Sequence, residues 1–267
     1  MLYAVISDIH IDINKEYDVI NPLIHRISQS SASALLIAGD ISDDYKITID
    51  TVAFIKKQLG IPVYYVPGNH DMWSENFKKT STESIYDAFK QDSNCLLHGS
   101  VMLDEDTTLI GDIGWYDYSF GSTKFSKDDF ERMNYMDRTW QDKLKNQWTV
   151  NNLARSRKVL KDLEDQLKQV KTKRIIVMTH MVPIKEFTVE NPNDMWEYFN
   201  AFLGSSKLHE LYRKYNVTHA ICGHIHYRKS IIKDGITYIC PCLNYATEWG
   251  VKDSEKEIKE SLQWIES

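Results

Sequence analysis

The chain has 267 residues, 42% of them hydrophobic, and a formal net charge of −6, with a pI near 5.9. That length can bury one large core, and no linker or composition break divides it, so a single domain over residues 1–267 is expected. The acidic balance excludes a broad nucleic-acid or anionic-membrane surface and leaves room only for a local positive site.

The N-terminal MLYAVISDIH has no basic leader, and Asp8 breaks its apolar run too early for a signal peptide or a membrane span. No other stretch is long enough to cross a bilayer. Cys95, Cys222, Cys240 and Cys242 do not make a disulfide framework in a chain of this size, even with Cys240-Pro-Cys242 in a strand-like run. They read as buried thiols of a reduced, cytoplasmic protein.

In chain order, LYAVISD, ALLIAGD, VYYVPGNHD, RIIVMTH and THAICGH are short, nearly continuous apolar runs, the pattern of strands covered on both faces. Helix-like segments at about 18–29, 48–59 and 81–90 lie between the early ones, the third capped by Ser81 or Thr82. A longer helix is predicted over 151–170, where Leu153, Leu160, Leu163, Leu167 and Val170 keep a spacing near 3.6. Strand-like pieces near 96–103 and 107–113 suggest antiparallel pairing, and Asp234-Gly235 between two apolar runs marks a hairpin. The chain reads as mixed α/β and not as purely doubly wound.

Each early or late strand ends in a polar cluster: Asp8-Ile9-His10, Gly39-Asp40, Gly68-Asn69-His70-Asp71, Thr179-His180 and Gly223-His224-Ile225-His226. Strand C-termini of an α/β sheet line the crevice where ligands bind, so five clusters can converge there. DxH and HxH put alternate side chains on one side of an extended segment, and carboxylate with imidazole suits hard or borderline divalent metals. Singly each fragment is weak, since a lone Gly-Asp is mostly a turn.

Taken together and in this order, the blocks DxH, GD, GNHD, H and GHxH over residues 8–226 resemble the calcineurin-like metallophosphoesterase superfamily. The resemblance implies an α/β (α+β) four-layer sandwich, with two mixed β-sheets packed together and flanked by helices. It implies hydrolysis of a small-molecule phosphate ester, phosphodiester or phosphomonoester with the diester favoured, by attack of a metal-bridging hydroxide. By analogy Asp8, His10 and His226 bind one metal, Asn69, His180 and His224 bind a second, and Asp40 bridges them. Two divalent cations bring four positive charges against three negative ones from Asp8, Asp40 and the hydroxide, so the neutral Asn69 leaves the centre attractive to phosphate. Ligands without sulfur allow Mn, Fe, Zn, Co or Ni, with Mn the ion expected to serve in assay.

His70, next to a ligand but pointing apart from it, is expected to stabilise the oxyanion or protonate the departing oxygen. Asp71 either orients that imidazole or caps the turn by accepting backbone N–H groups. His25, His98, His209 and His219 read as structural, and Asp12 as a loop carboxylate. Residues 112–150 and 186–203 are rich in aromatics. They form either a substrate cap, with Trp115 and Tyr116 as substrate-binding residues, or a satellite core over the sheet edge. No GxSxG or GxxxxGK[ST] motif and no HxHxDH run is present, and GDISDDY lacks the arginine of the protein phosphatase GDxxDRG block. The remaining alternative is a non-catalytic metal-binding scaffold for partner interactions.

Overall fold

The computed structural model describes residues 1–74 and 80–267. Strands and helices alternate first: β1 (Leu2–Ile6), α1 (Ile20–Ser28), β2 (Ala32–Ala38), α2 (Tyr45–Leu59), β3 (Val63–Val66) and α3 (Thr82–Gln91). Then come β4 (Val101–Asp104), β5 (Thr107–Asp112), α4 (Lys127–Glu131), the short β6 (Asn134–Tyr135) and β7 (Arg138–Thr139), and α5 (Asp142–Lys145). The chain continues through α6 (Asn152–Leu167), β8 (Arg174–Thr179), α7 (Asp194–Phe199), α8 (Ser206–Lys214), β9 (His219–Ile221), β10 (Arg228–Lys233), β11 (Ile236–Pro241), α9 (Ser254–Ser261) and β12 (Gln263–Glu266).

The strands form two mixed sheets, in the orders β12-β1-β2-β3 and β10-β11-β9-β8-β5-β4. Inner pairs are parallel, whereas β12, β4 and β10 pair antiparallel at the edges. The expected hairpin joins β10 to β11, with Lys233 opposite Ile236. Asp234 and Gly235 take φ of 49° and 78° there, the left-handed pair a two-residue hairpin turn demands.

Alternation along the strands builds the layers. Val5, Leu36, Ala38 and Val66 from the first sheet meet Leu109, Ile176, Met178 and Ile239 from the second in one buried cluster. The intervening residues face outward: Ile6 and Ile37 pack under Leu23 of α1 and Val52 of α2, and Val177 packs with Leu163 of α6 and Leu208 of α8. Burial on both faces explains the nearly continuous apolar runs, and the result is the helix–sheet–sheet–helix sandwich expected. Helix α2 starts three residues before its predicted position because Asp44 caps it, accepting from Lys46 N at 2.8 Å. Among the described residues, no helix is long and apolar enough to cross a membrane.

The two aromatic stretches pack against each other. Tyr135 stacks on Tyr198 at 5.1 Å, Phe130 meets Tyr198 at 5.3 Å and Trp140 lies on Phe202 at 5.5 Å. Trp115 and Tyr116, the expected substrate-binding residues of a cap, lie buried within this layer. They are 1% and 0% exposed, and their rings stack at 4.8 Å. Trp115 Nε1 donates to Asn152 Oδ1 at 2.9 Å. A run of aromatics beside a sheet edge is as much a core signal as a cap signal, and these two rings are buried as core residues are. Trp115→Ala should lower the unfolding free energy by about 3–5 kcal/mol, the usual cost of deleting a buried large aromatic. Equilibrium denaturation reads this, and a loss below about 1 kcal/mol would show that the site is not packed as described.

Candidate metal centre

β1, β2 and β3 run parallel in one sheet and β8 and β9 parallel in the other, so the five polar clusters leave their strands at neighbouring ends. The backbone there is unusual. Asp8, His10, Asp40, His224 and His226 adopt φ of 53°, 45°, 53°, 75° and 54°, a left-handed region that costs non-glycine residues on the order of 1–3 kcal/mol each. Cross-links between the loops hold them there. Asp8 N donates to Gly39 O and His10 N to Asp40 O, each at 3.0 Å, and His224 N donates to the Asp8 carboxylate at 3.0 Å. Glycines clear the space beside the carboxylates: a Cβ on Gly68 would stand 2.0 Å from Asp40 Oδ1, and one on Gly223 2.4 Å from Asp8 Oδ2.

The seven side chains assigned to metals by resemblance lie together in this crevice, buried or nearly so. Donor atoms of Asp8, His10 and His226 lie within 4.8 Å of one another, and so do those of Asp40, His180 and His224. His10 Nε2 is 3.3 Å from His226 Nε2 and 3.7 Å from Asp40 Oδ2. Asn69 joins the second group, its Oδ1 3.1 Å from His180 Nε2. The far nitrogens of His180, His224 and His226 are engaged elsewhere, which aims the near ones inward, while that of His10, Nδ1, is buried without a hydrogen-bond partner. His180 Nδ1 meets Ala38 O at 2.8 Å, His224 Nε2 meets Phe202 O at 3.2 Å, and His226 Nδ1 meets Glu248 Oε2 at 2.7 Å. Such a set of imidazole, carboxylate and amide oxygens converging on shared space, with the glycine cradle around it, fits divalent cations.

The charges explain the titration of the ion-free site. Burial depresses His180, but the Asp40 carboxylate at 3.2 Å outweighs it and lifts the imidazole to about 9. His224, buried beside cationic His180, falls to about 3. Burial would raise Asp40, yet the surrounding imidazoles, His180 foremost, hold it well below the usual carboxylate range.

His70 borders the same space without being aimed outward from a ligand pair. Its backbone N donates to Asp40 Oδ1 at 2.9 Å, and Nδ1 lies 2.7 Å from Asp43 Oδ1. Nε2 is left facing Asp40 Oδ2 at 3.9 Å and the Tyr245 hydroxyl at 3.4 Å. Burial lowers its pKa, but Asp40 and Asp43 together raise it above the ordinary value. Of the two readings of Asp71, the hydrogen bonds are those of the turn cap. Its carboxylate accepts backbone N–H groups of Gly68, Asp40, Ile41 and Ser42 and the Thr48 hydroxyl. That is the turn-capping alternative: Asp71 fastens the third loop to the second. Burial and nearby Asp40 push it up to about 7.

Asp12 accepts from Ser42 Oγ at 3.1 Å and from Asp43 N, as a loop carboxylate does. His25, His98, His209 and His219 lie on other partners away from the crevice. Asp43, Tyr245, Glu248 and Asp142 were missed by sequence reasoning. Asp43 alone had a local signal, following the Asp40 block by three residues in GDISD. The buried Cys242 thiol also reaches the site, donating to Asp8 Oδ2 at 3.0 Å.

A family model described as calcineurin-like phosphoesterase matches residues 1–228, which contain every one of these loops except that of Tyr245 and Glu248. A relative from Arcobacter nitrofigilis, described as a probable glycerophosphodiester phosphodiesterase GpdQ, is 27% identical over 244 residues, covering 85% of this chain and 72% of its own. Among solved structures, phosphopantetheinyl hydrolase (PptH) from Mycobacterium tuberculosis superposes with a TM-score of 0.76 at 16% identity, covering 98% of this chain and 95% of that one. A dimetal phosphatase from Danio rerio gives a TM-score of 0.55 at 13% identity, with 90% and 86% covered. At those identities the structural likeness speaks for the fold, while the family match spans most of the sequence. The chain belongs to the calcineurin-like phosphoesterase family.

Proposed function

We propose that this protein is a binuclear metal-dependent phosphodiesterase acting on small phosphate diesters. The observation that carries the reading is the inward convergence of Asp8, His10, Asp40, Asn69, His180, His224 and His226, with His70 Nε2 bordering the same space. Asp8, His10 and His226 would hold one ion, Asn69, His180 and His224 the other, and Asp40 both. Two divalent cations bound there would polarise the phosphoryl oxygens and acidify water for attack. The likeness to the probable glycerophosphodiester phosphodiesterase supports a diester over a monoester. The buried, unpaired thiols accord with a reducing, cytoplasmic setting.

The protein's own catalytic contribution is the His70 imidazolium. Asp43 takes its Nδ1–H and thereby presents Nε2–H toward the crevice. When water adds to phosphorus and the P–O ester bond breaks, the departing oxygen needs a proton, and Nε2 supplies it. A bare scaffold has no use for this buried, carboxylate-backed imidazole, which favours catalysis over the scaffold alternative.

Asp40→Ala should lose bound metal and hydrolysis together, and chelation of the wild type should abolish activity that Mn²⁺ restores. Metal analysis beside a bis-ester assay reads both; undiminished turnover by fully demetallated protein sinks the metal-dependent reading.

His70→Ala should keep its metals and lose kcat by about 100- to 10,000-fold on alkyl esters. The loss should be clearly smaller on a p-nitrophenyl ester, whose leaving group needs no proton. Asp43→Asn should show the same pattern in milder form. Equal losses on both esters would reject proton donation, and loss of metal would make His70 a ligand.

A third outcome concerns protons. In the ion-free protein His180 is raised from 6.5 to about 9 and is charged at neutral pH, so a cation must displace its proton. The stabilisation of the ion-free fold by this charge is complete below about 6.5 and fades as pH rises through about 9. Metal affinity should climb with pH up to about 9 and level off above it, with protons released on binding below that value. Calorimetry in buffers of different ionisation heat measures the release, and a pH-independent affinity would contradict the His180 assignment.

A further inference from the structure

Asp142 opens α5, belongs to none of the motif blocks, and is only 2% exposed. Its Oδ1 accepts from Asn69 Nδ2 at 2.9 Å, Trp73 Nε1 at 3.0 Å and Asn146 Nδ2 at 3.1 Å. Its Oδ2 accepts from Trp140 Nε1 at 2.9 Å and from the Tyr116 hydroxyl at 3.4 Å. Three of those five donors have their other side on the metal centre. Asn69 Oδ1 lies 3.1 Å from His180 Nε2, the Trp73 ring lies on His70 at 3.6 Å, and Trp140 meets the His224 ring at 5.8 Å.

An asparagine amide is nearly symmetric in shape, but one end accepts and the other donates, and only the oxygen can ligate a cation. Something must choose between the two faces. A carboxylate is acceptor-only when ionised, so Asp142 can take only the nitrogen, and the oxygen is left on the side of His180 and Asp40. Turning the amide over would set two acceptors against each other in a buried place, which is costly.

We propose that Asp142 is a positioning residue for the metal centre: it fixes the Asn69 amide, oxygen inward, before any ion arrives. The proposal rests on the binuclear reading above. It also gives the aromatic layer of residues 112–150 a task at the site, since Trp140 and Tyr116 anchor the carboxylate that holds Asn69. The substrate need not touch that layer for the layer to matter.

Mn²⁺ titration of the whole chain by calorimetry and electron paramagnetic resonance tests this. Asp142→Leu keeps about the same volume but offers the Asn69 Nδ2–H no acceptor, so nothing on that side fixes the amide. The site shared by Asn69, His180 and His224 should weaken by about 10–100-fold, the usual cost of losing a partner behind a ligand, while the Asp8, His10 and His226 site keeps its affinity. In an Asn69→Ala background the same change should alter neither site. The proposal is overturned if Asp142→Leu binds both ions as the wild type does, if both sites weaken alike, or if its effect persists without Asn69. A wild-type chain that takes up a single ion would instead overturn the binuclear reading, and the proposal with it. Should Asp142→Leu fail to fold, the ion-free wild type still decides. The Asn69 side-chain N–H₂ signal, identified by its loss in Asn69→Asp, should exchange slowly with water, and exchange as fast as that of an exposed asparagine overturns the proposal.

Discussion

Asp40 sits where the two sheets' loop ends meet, and its carboxylate has almost no freedom. Oδ1 accepts from His70 N at 2.9 Å, and Oδ2 has His180, His10 and His70 at 3.2, 3.7 and 3.9 Å. Gly68 approaches so closely that even a methyl group would collide with it. One buried anion among several imidazoles is stable only because each imidazole offsets part of its desolvation, and each imidazole in turn depends on that anion. Remove the charge and the first, third and fourth loops lose the group that sets their spacing.

The loops meet that demand by bending their backbones into left-handed conformations at Asp8, His10, Asp40, His224 and His226. Such strain persists where the surroundings over-determine the chain. Here the over-determination is visible in backbone bonds from loop to loop and in Asp71, whose carboxylate gathers N–H groups from both the GD loop and its own turn. Asp71 therefore serves geometry rather than proton transfer. The sandwich beneath, apolar between its sheets, gives the small loops a fixed base.

Around this centre stands a second ring of partners that tune it from behind: Asp43 on His70, Glu248 on His226, Ala38 O on His180, Asp142 on Asn69. They come from widely separated parts of the chain, including the aromatic layer. That layer is continuous with the main core, so the packing of Trp115, Tyr116 and Trp140 is coupled to the orientation of groups facing the crevice.

The sequence by itself determined the parts that follow from local periodicity and local chemistry. Apolar runs with both faces buried announced β1, β2, β3, β8 and β9, Asp234-Gly235 announced the hairpin, and the polar blocks closing the strands announced where side chains would gather. These are readable because burial of a strand face and the φ of a turn depend on neighbours in the chain. Only the tertiary structure decided who partners whom. Asn69 and Asp142 are 73 residues apart and His70 and Tyr245 are 175 apart, so no periodicity links them. Asp71 lies beside His70 in sequence yet turns to the backbone of the neighbouring loop, while Asp43, 27 residues away, takes the imidazole. Whether Trp115 lines a cap or fills a core was equally beyond the sequence, because hydrophobicity states that a ring seeks cover and the fold alone supplies what covers it.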